Sequence, residues 1–466
     1  MVSRNGTFDP QEGGRVGAFC VPDDQAPNGL IASAIDRTTM STRISVTPSA
    51  PTLLDADVRV VVSGLRPKQV VRITLTLLHP GAQFQSFAKF EAPDDGVVAL
   101  AETPSFEGTY TGVDAMGLFS SMCLLPSQRF GSVLSLGNVE GLLLSYQLHV
   151  YDEKGRLLGQ HTLQKFVLDL NVERREIAAG NVRGVLFKPR GPPEKRFPSV
   201  IDLFGLGGGC REHRAALLAQ KGFAVLALGL YNYRDLPRFN TRVNIEYMKE
   251  SIDWLRSQPF ASPRCAIVGH SLGAIVGYQA LVRYPGVCSI VALNGLPHID
   301  CTVTMLEKGR PLPSFLFRNA HVTHAKHEGN VSFYRGMWER ILDEEADEVA
   351  KYRIPLESVP DDVAFMVVTG EQDETQPYKR INEELVARLR KANPRRRVDA
   401  VFLRHSGHML DVPHTPHVGV AYTPPSYWAQ GGHQYLQCVD QRRLWPQMVA
   451  FLRDTIPVHV SPGSKL

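Results

Sequence analysis

The stretch Cys265-Ala266-Ile267-Val268-Gly269-His270-Ser271-Leu272-Gly273-Ala274-Ile275-Val276-Gly277-Tyr278 constrains this chain more than any other. Four apolar residues run into a Gly-x-Ser-x-Gly pentapeptide, and a helical pattern from Leu272 to Tyr284 follows at once. A short apolar run of this kind reads as a strand covered on both faces, the type found in parallel sheets. A strand that passes directly into a helix must turn within one or two residues. Glycines two before and two after the serine allow that sharp turn and the close packing it needs. The turn lifts the Ser271 oxygen above the sheet, and the helix N-terminus behind it carries partial positive charge and free N–H groups. Ser271 is therefore the candidate nucleophile. A serine hydroxyl is weak by itself and needs a base, and the base needs an orienting acid.

The flanking sequence has the matching rhythm. Ser199–Phe204, Phe223–Leu228, Cys265–Val268 and Ser289–Leu293 are short apolar strands, and Glu212–Lys221, Ile245–Ser257 and Leu272–Tyr284 have helical spacing between them. Buried strands alternating with amphipathic helices predict a mostly parallel sheet with helices on both faces. With the serine elbow, this is the α/β-hydrolase fold, whose chain order is Ser, then Asp or Glu, then His. The sequence supplies them in that order. The apolar strand Val363–Val368 leads to Thr369-Gly370-Glu371-Gln372-Asp373-Glu374, and Val398–Leu403 leads to Arg404-His405-Ser406-Gly407-His408. Glu371, Asp373 and Glu374 are candidate acids, and Asp373 is the most central in its loop. His405 and His408 are candidate bases. His408 lies in the tighter Gly407-His408 loop, far enough past its strand to reach over the sheet. His270, inside the elbow, reads as a packing residue or a support for the catalytic groups.

A tetrahedral intermediate needs two oxyanion donors. One is expected from the N–H of Leu272, the residue after the nucleophile. The other is expected from the glycine-rich loop Gly205-Leu206-Gly207-Gly208-Gly209 after the Ser199–Phe204 strand, with Gly207 taken as the donor. That loop matches neither GxGxxG nor the phosphate-binding P-loop, so a nucleotide cradle ranks below an oxyanion hole.

At 466 residues the chain has room for two domains, or three, of roughly 100–250 residues each. From residue 43 to 172 the pattern has period two: Val71-Arg72-Ile73-Thr74-Leu75-Thr76-Leu77 and Leu144-Ser145-Tyr146-Gln147-Leu148-His149-Val150 alternate, and Asp152-Glu153-Lys154-Gly155 reads as a turn. These features predict an antiparallel β-sandwich without chemistry of its own. Near 173–195, Arg174-Arg175 and then PRGPPEKR read as a boundary followed by a surface hairpin turn, so the catalytic domain is assigned to 173–460. Residues 1–42 are expected to be a poorly ordered tail, and 461–466 a flexible one. The last three residues, Ser464-Lys465-Leu466, have the form of a receptor-read peroxisomal address.

Several classes are set aside. The net charge is +4, with 51 Lys and Arg spread against 47 Asp and Glu, which is no nucleic-acid footprint. Seven cysteines with no CxxC pair fit a reduced compartment and offer no zinc spacing, so neither metal nor cofactor is expected. The N-terminus has no apolar signal region, and no run approaches the ~20 residues of a membrane span.

Further stretches carry a resemblance. Thr109-Tyr110-Thr111-Gly112-Val113-Asp114-Ala115-Met116-Gly117-Leu118, Val172-Glu173-Arg174-Arg175, Ile201 through Gly209, Tyr231-Asn232-Tyr233-Arg234-Asp235-Leu236-Pro237 and Asn294-Gly295 are similar to motifs of one family. From about residue 45 to 455 the chain resembles the acyl-CoA thioesterases related to bile acid-CoA:amino acid N-acyltransferase. The resemblance implies a β-sandwich before an α/β-hydrolase domain, a Ser271–His408–Asp373 triad and a coenzyme A thioester substrate. It also implies that bile-acid-conjugating members carry Cys where this chain has Ser271. An acyl-serine ester suits attack by water, which favours hydrolysis. An acyl-CoA thioesterase in the peroxisome, met there through an import receptor, is the expectation. An N-acyltransferase, a general carboxylesterase and a non-catalytic binding protein are the rivals. The segments 300–358 and Met409–Gln437 are expected to overlie the site. Arg395-Arg396-Arg397 reads as a solvent-exposed turn rather than a contact for CoA phosphates.

Overall fold

Alternation in the N-terminal half becomes a pair of mostly antiparallel sheets in the computed structural model, which describes residues 41–238, 242–300, 302–423 and 426–458. Nearly all of the expected N-terminal tail, and Ser464-Lys465-Leu466, lie outside these residues. Leu157–Phe166, Leu143–Asp152, Val70–Leu78 and Phe84–Glu91 are neighbours in the larger sheet. Arg43–Thr47, Arg59–Ser63 and Val98–Ala99 form the smaller one. Val71, Ile73, Leu75 and Leu77 point to one face, as period two requires, and share a buried cluster with Val60 and Val62 of the smaller sheet. The predicted turn closes the hairpin between Leu143–Asp152 and Leu157–Phe166. Asp152 Oδ1 accepts from the N–H groups of Lys154 and Arg156, and Gly155 takes the positive φ of 75° that the turn needs.

The second unit is an eight-stranded sheet: β1 (Val172–Ala179), β2 (Val182–Pro189), β3 (Phe197–Leu203), β4 (Ala224–Leu228), β5 (Ala261–His270), β6 (Val287–Leu293), β7 (Ala364–Gly370) and β8 (Val398–Leu403). The order across the sheet is β1-β2-β4-β3-β5-β6-β7-β8. β2 runs antiparallel to both β1 and β4, and the strands from β4 to β8 are mutually parallel. The stretch read as a boundary and turn thus holds two strands. Its hydrophobic signal is masked because Arg174, nearly buried, lies on β1 and pairs with Glu212 at 2.8 Å.

Helices α1 (Glu212–Gln220), α2 (Glu246–Arg256), α3 (Leu272–Arg283), α4 (Tyr378–Ala392) and α5 (Leu436–Thr455) cover the sheet. Successive strand residues point to opposite faces. Ile201, Leu226, Ile267, Ile290 and Phe365 pack with Ile252, Tyr278 and Leu385 of α2, α3 and α4. Their neighbours Val200, Val225, Val268, Val291 and Met366 pack with Leu217 of α1 and Met448 and Phe451 of α5. Each fully buried aliphatic side chain contributes about 1.5–3 kcal/mol, so packing on both faces holds the sheet in place under the site. The second of these clusters is continuous with the sandwich core. Polar ties join the same surfaces: Trp445 Nε1 donates to Asp55 at 2.9 Å, and Arg442 pairs with Asp114 at 2.7 Å.

Two insertions meet above the strand ends. Val331–Phe333 pairs in parallel with Ser426–Ala429, which forms a hairpin with Val420–Thr423. The charge-rich run Glu339 to Lys351 lies on two helices laced by Arg335–Glu339 and Arg340–Glu344 pairs, a solvated surface. Arg396 departs from the expected exposed turn. It is buried, donates to Val359 O at 2.7 Å and lies over Phe365, so it holds the fold rather than meeting solvent.

Candidate active site

β5 is buried along its last six residues and delivers Ser271 to a conformation that few non-glycine residues adopt, φ 55° and ψ −120°. Such a backbone costs on the order of 1–3 kcal/mol and persists only where the surroundings force it. Here they do. A Cβ at position 269 would lie 2.6 Å from the Ala274 nitrogen, and one at position 273 would lie 2.6 Å from the Phe204 carbonyl oxygen. Only glycine on both sides lets β5, α3 and the end of β3 approach this closely. Ser271 N–H donates to Leu293 O at the end of β6 (2.9 Å), which fixes the turn.

Ser271 Oγ lies 3.0 Å from His408 Nε2, and His408 Nδ1 lies 2.7 Å from Asp373 Oδ2. A carboxylate only accepts, so the Nδ1 proton points to Asp373 and Nε2 is left free to accept from the serine hydroxyl. Asp373 is buried, and its second oxygen is filled from its own loop. Oδ1 accepts from Thr375 N–H (2.7 Å), Thr375 Oγ1–H (2.6 Å) and Gln376 N–H (3.3 Å). Both oxygens of this buried carboxyl group therefore have donors, which offsets the loss of water around it.

The His408 main chain is equally fixed. Its N–H donates to Gln430 O (2.7 Å), and its carbonyl accepts from Asn294 Nδ2 (2.9 Å) and from His270 Nε2 (2.8 Å). Asn294 ends β6 with φ 47° and joins three strand ends at once. Its Nδ2 also donates to Gly407 O (3.0 Å), and its Oδ1 accepts from Gly370 N–H (2.8 Å) at the end of β7. His270 stacks on Phe204 and packs against His408. Burial first, and the neighbouring His408 second, hold its pKa well below the usual histidine value. It is a neutral donor to the His408 carbonyl.

Of the other candidates, His405 is turned away. Its Nδ1 is 3.8 Å from Asp440, beside α5. Glu371 pairs with Lys379, and Glu374 is pushed up by burial without touching His408. Thr375 and Asn294 were not singled out as site residues by sequence reasoning. The Asp-x-Thr spacing and an asparagine before glycine at a strand end were the available signals. His270 sits where a supporting role was expected.

Ser271 and His408 open into a cavity of about 390 Å³. Leu296, Val303, Met305, Met337 and Trp338 give it apolar walls, and the expected overlying segments contribute Met409, Tyr422 and Trp428. Polar groups share the lining with these apolar walls. Asp300 sits in the wall, its pKa raised by burial, and Arg211 lies with its guanidinium 3.7 Å from the Phe204 ring centroid. Leu272 and Gly207 both line this cavity. Leu272 opens α3, where an N–H has no partner inside the helix. The Gly207 N–H engages no protein acceptor among the described residues, while Gly208 N–H closes a turn on Gly205 O at 3.0 Å and Tyr231 anchors Leu206 O. No group of three or more His, Cys, Asp and Glu side chains that could hold a metal occurs among the described residues.

Comparison with known proteins gives concordant matches. One family model, described as the acyl-CoA thioester hydrolase/BAAT N-terminal region, matches residues 55–179, and another, the BAAT/acyl-CoA thioester hydrolase C terminal, matches 243–457. Bile acid-CoA:amino acid N-acyltransferase of Mus musculus is 32% identical over 422 residues, covering 86% of this chain and 95% of that protein. Acyl-coenzyme A thioesterase 1 of Homo sapiens is 29% identical over 440 residues, covering 90% and 98%. Among solved structures, the acylaminoacyl peptidase of Pyrococcus horikoshii matches with a TM-score of 0.42 at 11% identity, covering 88% of this chain and 76% of that one.

Proposed function

The chain belongs to the BAAT/acyl-CoA thioester hydrolase family, and on that premise we propose that it hydrolyses acyl-CoA to a free acid and CoA through an acyl-Ser271 intermediate. The observation that carries the reading is the unbroken contact chain Ser271–His408–Asp373 at the floor of an apolar cavity. Ser271 Oγ attacks the thioester carbonyl while its proton passes to His408 Nε2. The Asp373 carboxylate stabilises the imidazolium that forms. The carbonyl oxygen becomes an oxyanion and accepts from the N–H groups of Leu272 and Gly207. One such donor is worth about 3–4 kcal/mol of barrier. Collapse expels the CoA thiolate, which takes the proton from His408. Water then enters, gives its proton to His408 and attacks the acyl ester. The second collapse returns the proton to Ser271 and frees the acid.

A second reading shares every step up to the acyl-enzyme and replaces water with the amine of an amino acid. The 32% identity to a named N-acyltransferase favours keeping it. The Ser271 ester, less activated than a thioester toward amines, favours water. Thiol release and mass spectrometry of the products, with and without glycine and taurine, test both. Free acid as the sole acyl product, lost in Ser271→Ala, supports hydrolysis. An N-acyl amino acid moves the chain to the transferase reading. Faster cleavage of simple esters than of acyl-CoA would replace both with a carboxylesterase.

The proposal extends to place. Ser464-Lys465-Leu466 has the form of a peroxisomal import address, and a peroxisome that handles acyl-CoA has use for an enzyme that frees CoA. A fluorescent protein fused ahead of the chain should enter peroxisomes and stay outside them when the tripeptide is removed.

A further inference from the structure

If the acyl chain lies along the apolar walls, the other half of an acyl-CoA must leave through the cavity mouth, and one side of that mouth has unusual chemistry. Tyr422 lines the cavity and is 38% exposed, and Phe130, on a loop of the sandwich domain, is 45% exposed. Tyr427 joins them: its ring centroid is 5.3 Å from Phe130 and 5.0 Å from Tyr422. The Arg129 guanidinium lies 4.5 Å from the centroid of the Tyr422 ring. Arg129 is exposed and has no carboxylate partner among the described residues, in contrast to the arginines of the overlying helix, Arg335 and Arg340, which are paired.

The two elements are also locked together. Tyr422 N–H donates to Gly131 O at 3.1 Å. Gly131 has φ 73°, and a Cβ there would come within 2.8 Å of the Tyr427 ring. The sandwich loop and the Val420–Thr423/Ser426–Ala429 hairpin therefore present one preset surface of aromatic rings and a guanidinium held by Tyr427 and Tyr422 with no carboxylate partner among the described residues. Exposed aromatic rings invite a planar base, and a guanidinium beside them that no carboxylate neutralises invites a phosphate.

We propose that this rim, Arg129 and Phe130 from the sandwich domain with Tyr422 and Tyr427 from the hairpin, binds the adenine nucleotide end of coenzyme A. The adenine stacks on the aromatic faces and Arg129 meets a phosphate. This rests on the acyl-CoA reading above. It also gives the sandwich domain, which shows no chemistry in its sequence, a direct part in substrate recognition.

The test compares wild type, Arg129→Ala, Arg129→Lys and Tyr422→Ala on three thioesters of one acyl chain: acyl-CoA, acyl-3′-dephospho-CoA and acyl-pantetheine. Wild type should prefer acyl-CoA over acyl-pantetheine in kcat/KM. That preference should fall about tenfold in Arg129→Ala and in Tyr422→Ala, the change that corresponds to about 1.4 kcal/mol, with partial recovery in Arg129→Lys. Loss of discrimination against the dephospho substrate in Arg129→Ala would assign the guanidinium to the 3′-phosphate, and its retention to the pyrophosphate. An unchanged preference in both alanine variants, with wild-type melting temperatures, would overturn the rim. CoA binding by calorimetry separates the two levels. Absence of thiol release by wild type refutes the thioesterase reading. Equal CoA affinity of wild type and Arg129→Ala refutes the rim, whatever the turnover.

Discussion

Asn294 supports the site geometry from outside the cavity. It does not line the cavity, and it ties the acid strand to the base loop through three hydrogen bonds, to Gly370, Gly407 and His408. Asn294→Ala removes all three in a fully buried setting. At about 1 kcal/mol each they sum to about 3 kcal/mol. The φ of 47° adds a further cost of about 1 kcal/mol for alanine, which tolerates that region less well than asparagine. The expected loss of stability is therefore about 4 kcal/mol, and about 3 kcal/mol for Asn294→Gly, where the backbone term disappears. The catalytic consequence is separate. With the His408 carbonyl held only by His270, the imidazole is free to drift from Ser271 Oγ, and a displacement of about 1 Å costs on the order of 100-fold in rate. Urea unfolding gives the stability change, and thiol release from acyl-CoA gives kcat and KM. The expected pattern is kcat reduced about 10- to 100-fold in both variants, with KM little changed because Asn294 does not face the cavity. A kcat within twofold of wild type in Asn294→Gly would refute the reasoning, since His408 would then be held without this residue.

His408→Ala should lower kcat by about 10⁴-fold or more, as expected when a triad base is removed, while His405→Ala should leave turnover near wild type. The reverse result in the same thiol-release assay would reassign the base. Lys165 provides a pH test inside the sandwich. Burial pushes its ammonium down to about 8 from its ordinary 10.5, although Asp57 and Asp55 oppose the shift. Between about pH 8 and 10.5 the unfolded chain binds more protons at this residue than the folded one, so its contribution to stability rises with pH across that window. Below about pH 8 the charged, buried Lys165 costs about 3 kcal/mol. The stability of wild type relative to Lys165→Met should improve by about that amount from pH 8 to 10.5, and parallel denaturation profiles would contradict it.

The mostly parallel sheet and its helices were legible because their strands are continuous apolar runs and the helices between them have one apolar face. The sandwich was legible because alternation such as Val71 to Leu77 admits no other packing. Even the elbow could be read, since glycines at 269 and 273 are the residues that a 2.6 Å approach demands. The first two strands of the large sheet were not legible as strands. Arg174 on β1 finds its partner Glu212 on α1, 38 residues away in sequence, and a charge neutralised from that distance looks like solvent-facing surface.

Local sequence therefore determined what each segment becomes, because backbone conformation and the side on which apolar groups lie are set within a few residues. It also supplied Ser271, Asp373 and His408 in order, each just past a strand end. Which histidine faces the serine and how Asn294 clamps three strand ends were decided only by the tertiary structure. The same is true of a sandwich loop and a hairpin some 290 residues apart that form one rim. Those outcomes depend on distances of about 3 Å between groups that the chain separates by tens to hundreds of residues, and no local periodicity encodes such a distance.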